Sequence, residues 1–199
     1  MLNLIKYPLC REEDLGRPIP DMIHATSVCM PLWQHNVAYE ELDESITKTF
    51  KSGYPRFFYH PIVRKLFNEA EKELASDQEC CLVFPNSQSA QRCLDYIEKI
   101  TSQKGSKQVW RDVCAIVVPK ACAVAAKAYW QHAGEGICSR QSLHILKDSK
   151  PDYPHEEALA VLKIRLAEQV GELVENVYIF PSGMAAIAAA QRMLIKRNR

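Results

Sequence analysis

The chain has 199 residues, 47% of them hydrophobic and 25% charged, an ordinary globular composition that excludes collagenous, coiled-coil and disordered classes. Its 25 Lys and Arg nearly balance 24 Asp and Glu for a formal net charge of +1. With no basic stripe or cationic face, neither nucleic acid nor a membrane surface is an expected partner. No apolar run approaches the roughly 20 residues that span a bilayer. Residues 1–14 lack the order of a secretion signal, so the expected location is cytoplasmic. The eight cysteines contain no C-x-x-C pair and no Cys/His couple at zinc-binding spacing, which predicts free thiols and no metal site.

In chain order, residues 1–60 read as an irregular arm or lid. Pro8, Pro18, Pro20, Pro31 and Pro55 interrupt every candidate element there, and Met22 to Met30 could form one short strand. An α/β extension over 61–132 follows. Pro61 suits a first helical position, and Ile62, Val63, Leu66, Phe67, Ala70 and Leu74 share one face at a 3.6-residue period. Cys81 to Phe84 reads as a strand; Asn86 or Ser87 then caps a helix carrying Ala90, Cys93, Leu94, Ile97 and Ile100. A strand at Val113 to Val118 and a buried helix at Ala121 to Trp130 repeat that order.

The last segment, 133–199, starts loosely with a candidate strand at Ser142 to Leu146. Pro154 then opens a helix with Leu159, Leu162, Leu166 and Val170 on its inner face, closed by Gly171. Val177 to Phe180 reads as a strand and Ser182 to Leu194 as an apolar helix. The alternation predicts an α/β fold with a largely parallel sheet and flanking helices. Val83-Phe84-Pro85-Asn86-Ser87 resembles Ile179-Phe180-Pro181-Ser182-Gly183, through either a duplicated unit or shared turn chemistry.

Seven glycines supply no Walker loop and no complete dinucleotide fingerprint, and G-x-S-x-G and H-E-x-x-H are both missing. The remaining candidate is Ser182-Gly183-Met184-Ala185. Small residues there would let a ligand approach the backbone. The free N–H groups and partial positive charge of a helix start favour a phosphate monoester. An ordinary N-cap by Ser182 accounts for the same spacing.

Four segments, taken together, resemble a known family. Val177 to Ile187 (V-Y-I-F-P-S-G-M-A-A-I) is similar to the phosphate-binding turn of the pyridoxal phosphate (PLP) enzymes of Cys/Met metabolism. Ala158 to Glu168 resembles that family's A-L-x-x-R-[IL]-A-E helix. Gly134 to Arg140 resembles the G-x-G-I-[SC]-S-R stretch of its long, cystathionine γ-synthase-like branch, whose N-terminal extension reads much like His24 to Trp33 and Gly53 to His60. The resemblance implies a fold-type I PLP domain, incomplete here, over 133–199. It further implies that Ser182, Gly183 and Met184 meet the cofactor phosphate, that Arg140 reaches the phosphate of a neighbouring subunit, and that the protein is a homo-oligomer. The implied parent reaction is γ-replacement on an activated homoserine ester by cysteine, a trans-sulfuration step of methionine biosynthesis.

Two departures accompany it. Ile137-Cys138-Ser139 stands before Arg140 where members carry a Tyr, and the family's Schiff-base Lys lies well beyond S-G-M; the earlier Lys120 and Lys127 do not resemble its S-x-[ST]-K motif. The expectation is therefore a fragment with no catalytic residue, inactive by itself because the Schiff-base lysine is missing. The competing expectation is a non-catalytic α/β binding or dimerisation module. The apolar final helix predicts low solubility or self-association.

Overall fold

A computed structural model describes residues 5–6, 8–9, 11–41, 43–53, 58–149 and 155–197. Its centre is a three-stranded sheet of β3 (Glu79–Phe84), β4 (Ser106–Trp110) and β5 (Val113–Pro119); two short strands, β1 (Pro18–Ile19) and β2 (Ser27–Val28), pair separately in the arm. The spatial order is β3-β5-β4, and both pairings are antiparallel. The expected largely parallel sheet is thus corrected, while the alternation of strand and helix holds.

The reason lies in a hairpin that the hydrophobic pattern hid. Strand β3 leads through helix α4 (Ser87–Thr101) to β4, and β5 folds back between them. Arg111 and Asp112 form its two-residue turn with φ of 47° and 65°, the geometry that matches strand twist but is usually signalled by Asn-Gly or Asp-Gly. Arg111 ties the tip to helix α3 (Pro61–Leu74): its guanidinium bonds Glu69 at 2.9 Å and Glu73, and lies 4.5 Å from the centroid of the Trp110 ring. The Trp110 indole also donates to Glu73 at 2.7 Å.

The helices follow their local signals. His60 caps α3 by accepting from the Ile62 N–H at 3.1 Å, with Pro61 at the first position. Val63, Leu66, Phe67 and Ala70 are buried as the period required. Asn86 caps α4 by accepting from Ser89 N–H at 2.9 Å. Cys93 and Ile97 are buried, whereas Ile100 is exposed. Every residue from Val113 to Val118 is buried, so helices and loops cover β5 on both faces. Helix α5 (Ala123–Ala133) follows a single 3-10 turn and ends at Gly134, φ 66°.

The arm carries the short helices α1 (Trp33–Glu40) and α2 (Glu44–Thr47) and joins the sheet unit through His60, whose Nε2 lies 2.9 Å from the Ile23 carbonyl. Of Met22 to Met30, only Ser27 and Val28 are strand. Ser142 to Leu146 is helical, part of α6 (Ser139–Leu146): Cys138 caps it, and the buried Ser142 hydroxyl donates to the Cys138 carbonyl at 2.9 Å. Helix α7 spans His155–Val170; Pro154 lies outside the described residues. Leu159, Leu162, Leu166 and Val170 do not line an inner face: they are 41%, 50%, 42% and 68% exposed, whereas Ala167 is buried. Val161 and Ile164 make this helix apolar all round, so its pattern never defined one side. Val177 to Phe180 forms no strand either. Val177 is extended, but no neighbouring strand pairs with the run among the described residues. Helix α8 (Gly183–Arg197) is the last described element.

Candidate functional site

Helix α8 starts just after Pro181. The Ser182 hydroxyl accepts from Ala185 N–H at 3.1 Å, the same three-residue cap that Asn86 gives α4. The likeness between residues 83–87 and 179–183 is therefore one of helix-opening turns, since the second lacks the strand. The N-cap reading of Ser182 is the one seen, and the cap satisfies one donor and leaves others. Neither the Gly183 nor the Met184 N–H has an acceptor among the described residues. Nothing lies within 4 Å of where a Cβ on Gly183 would sit. Two unpaired N–H groups at the positive end of a 15-residue helix, open to solvent, match the chemistry of a phosphate monoester. The turn thus fits the phosphate of PLP by donor set and access.

The turn is held from behind by Gly134. The Ser182 hydroxyl donates to the Gly134 carbonyl at 3.0 Å. A Cβ on Gly134 would lie 2.7 Å from Met184 Cβ and 2.8 Å from Ala185 N, so only glycine lets the two segments approach this closely, and its φ of 66° demands the same. Beside it, Glu135 is buried. Its carboxylate accepts from Arg92 Nε at 2.9 Å, Tyr129 OH at 2.7 Å and Arg192 Nη2 at 2.9 Å. Burial pushes Glu135 up, but the hydrogen bonds from Arg92 and Tyr129 and the charges of Arg92 and Arg192 outweigh it, holding the carboxyl below its ordinary range. Burial and the neighbouring acid push the Tyr129 phenol up.

Arg140 stands elsewhere. It occupies the first turn of α6, exposed to solvent, and no hydrogen bond or ion pair joins it to residues 182–185 among the described residues. Its charge and that of His144, after burial, lower the His24 pKa; the His24 ring nitrogen lies 3.0 Å from the Ser139 hydroxyl. Ser182, Gly183 and Met184 are thus brought together, and Arg140 is not placed with them. Sequence reasoning missed Glu135, Arg92, Tyr129 and Arg192. The available signal was an acid wedged between Gly134 and Gly136, where a solvated charge and a buried one look alike.

A groove of about 380 Å³ between α4, α5 and α8 is lined by Arg92, Tyr129, His132 and Arg192 among others. No group of three metal-ligating side chains occurs among the described residues. No described helix is long and apolar enough to cross a membrane.

Comparison with known proteins bears on the same segments. Residues 62–138 match the family described as the N-terminal domain of fungal trans-sulfuration enzymes. The chain is 33% identical over 153 residues to a cystathionine γ-synthase of Saccharomyces cerevisiae, covering 67% of this chain and 24% of that protein. A second protein of that yeast, provisionally given the same name, is 33% identical over 194 residues, covering 82% of this chain and 30% of its own length. A cystathionine γ-synthase of Neurospora crassa is 28% identical over 156 residues, covering 65% of this chain and 25% of that protein. The chain therefore spans about a quarter to a third of the length of these relatives. No solved structure gives a significant match.

Proposed function

The chain belongs to the trans-sulfuration enzymes of cystathionine γ-synthase type, and we propose that it supplies the phosphate-holding turn of a PLP site. Enzymes of this family depend on PLP, which when bound provides the electron sink for bond cleavage at substrate carbon. The role of this chain is to bind and orient. The N–H groups of Gly183 and Met184 donate to phosphate oxygens, the helix dipole adds to that attraction, and Ser182 fixes the turn by its bonds to Ala185 and Gly134. Arg140, exposed on α6, is free to meet a phosphate offered by a second subunit. The protein's reaction is then γ-replacement on an activated homoserine ester by cysteine in methionine biosynthesis, carried out by a cytoplasmic homo-oligomer. We assign no catalytic residue within this chain.

The observation that carries this reading is the pair of unpaired N–H groups above open space at Gly183. Its test uses pyridoxine 5′-phosphate, which lacks the aldehyde and cannot label surface lysines. Titration should shift the amide resonances of Gly183 and Met184 saturably. Phosphate-free pyridoxine should not, and Gly183→Asp should abolish the response by placing a negative charge in the turn. Equal shifts in both proteins would remove the site. A non-catalytic dimerisation module is the second reading, favoured by the exposed apolar residues of α7 and α8.

A further inference from the structure

Residues 134 and 135 grip helix α8 at two points. Gly134 receives the Ser182 hydroxyl and packs against Met184 and Ala185; Glu135 receives Arg192, seven residues and about two turns beyond Ala185 on the same helix face. The other partners of Glu135 come from different elements, Arg92 from α4 and Tyr129 from α5. One carboxylate, 7% exposed at its side chain, thus joins the helices packed on the sheet to the helix that carries the phosphate turn.

Between the two grips, Ala185, Ala188 and Ala189 share at helical spacing the face of α8 that carries Arg192, and Ala188 lines the groove with Ala128, Tyr129 and Ala133 of α5. Such small side chains allow close approach but offer no knob to fix where the helix slides or how it rotates. A buried ion pair adds little net stability compared with an apolar replacement, and its better-attested use is to fix register. That is the quantity the alanine face leaves open. Each bond to Glu135 is directional, and all three converge on two oxygens.

We propose that Glu135 and Arg192 are positioning residues that set the register of α8, and so the direction in which the Gly183 and Met184 N–H groups point at a phosphate ester. This rests on the phosphate reading above. Arg192→Ala should weaken pyridoxine 5′-phosphate binding roughly tenfold, within the range typical of coupling between separate sites of one molecule. Arg192→Lys should recover part of it, and Glu135→Gln should behave like Arg192→Ala. Val63→Ala on α3, buried but remote from α8 in the sequence, should lower the melting temperature and leave the affinity unchanged.

The decisive readout is affinity set against melting temperature, with the Gly183 and Met184 amide shifts reporting direction. If wild type and Gly183→Asp respond alike, the phosphate reading fails. If wild type binds, Gly183→Asp does not, and Arg192→Ala binds as wild type, the site stands and the register proposal is overturned. Should Glu135→Gln fail to fold, the Arg192→Ala and Arg192→Lys pair decides. A loss in Val63→Ala matching that in Arg192→Ala would also overturn the proposal, because stability alone would then explain it.

Discussion

Glu135 shows how one side chain acquires different properties from its surroundings than from its sequence. In the chain it is an acid between two glycines; in the fold it is a desolvated carboxylate facing two guanidinium groups and a phenol. Because its folded pKa is depressed below the ordinary 4.5, it contributes stability in full above that value and loses it as pH falls through the lower, folded value. Urea midpoints at pH 7 and pH 3 should therefore diverge more in wild type than in Glu135→Gln. An equal acid loss in both would assign the dependence to other groups. Cysteines separate as clearly. Burial pushes the thiols of Cys81 and Cys93 up to about 12, while Cys138, capping α6, is exposed. Iodoacetamide at pH 8 should alkylate Cys138 before any other described cysteine, as peptide mass mapping would show. The expectation of free thiols was legible from spacing; which thiol reacts was not, since exposure depends on tertiary contacts.

At the scale of elements, the readable ones carried their own boundary chemistry. Helix α3 had proline at its first position and four buried apolar residues in phase, and α4 had Asn86. What failed had one ambiguous signal. The β4–β5 turn uses Arg-Asp in a conformation normally announced by glycine, so the hairpin and its reversal of strand direction went unseen, and a parallel sheet was inferred from the alternation left over. The structure makes this turn testable. Asp112→Gly removes a side chain from left-handed backbone without touching the Arg111 bonds to Glu69 and Glu73. It should stabilise by at most about 1 kcal/mol and raise the melting temperature by about 2–4 °C. No change on calorimetry would mean that the Asp112 side chain compensates locally. The run at 177–180 failed differently: its residues favour a strand, but a strand also needs a neighbour.

For the whole molecule, burial divides the chain unevenly. The sheet and α3, α4 and α5 enclose a continuous core around Leu66, Phe84, Ile97 and Ile116, all wholly inaccessible. Removing Leu66 to Ala should cost about 2–5 kcal/mol. Around α7 and α8, in contrast, Leu162, Val170, Tyr178, Ile187, Met193 and Leu194 are each at least 50% exposed. Exposed apolar surface on this scale favours association. The weight-average mass in sedimentation should rise with concentration, and Leu162→Lys with Met193→Lys should lower it. A concentration-independent monomer would contradict this. The candidate phosphate turn was legible in its small residues and helix start, whereas its support from 134–135 was not, because it is separated by 48 positions from Ser182.

That support also makes α8 asymmetric in how it can open. Its first turns cannot separate from α5 without stripping Arg192 from a carboxylate that would stay buried, while the residues after Arg192 leave with no such penalty. Amide hydrogen exchange along α8 should accordingly be slow from Ala186 to Arg192 and fast beyond. The turn at 182–184 is thereby tied to the sheet unit instead of moving as a free helix end.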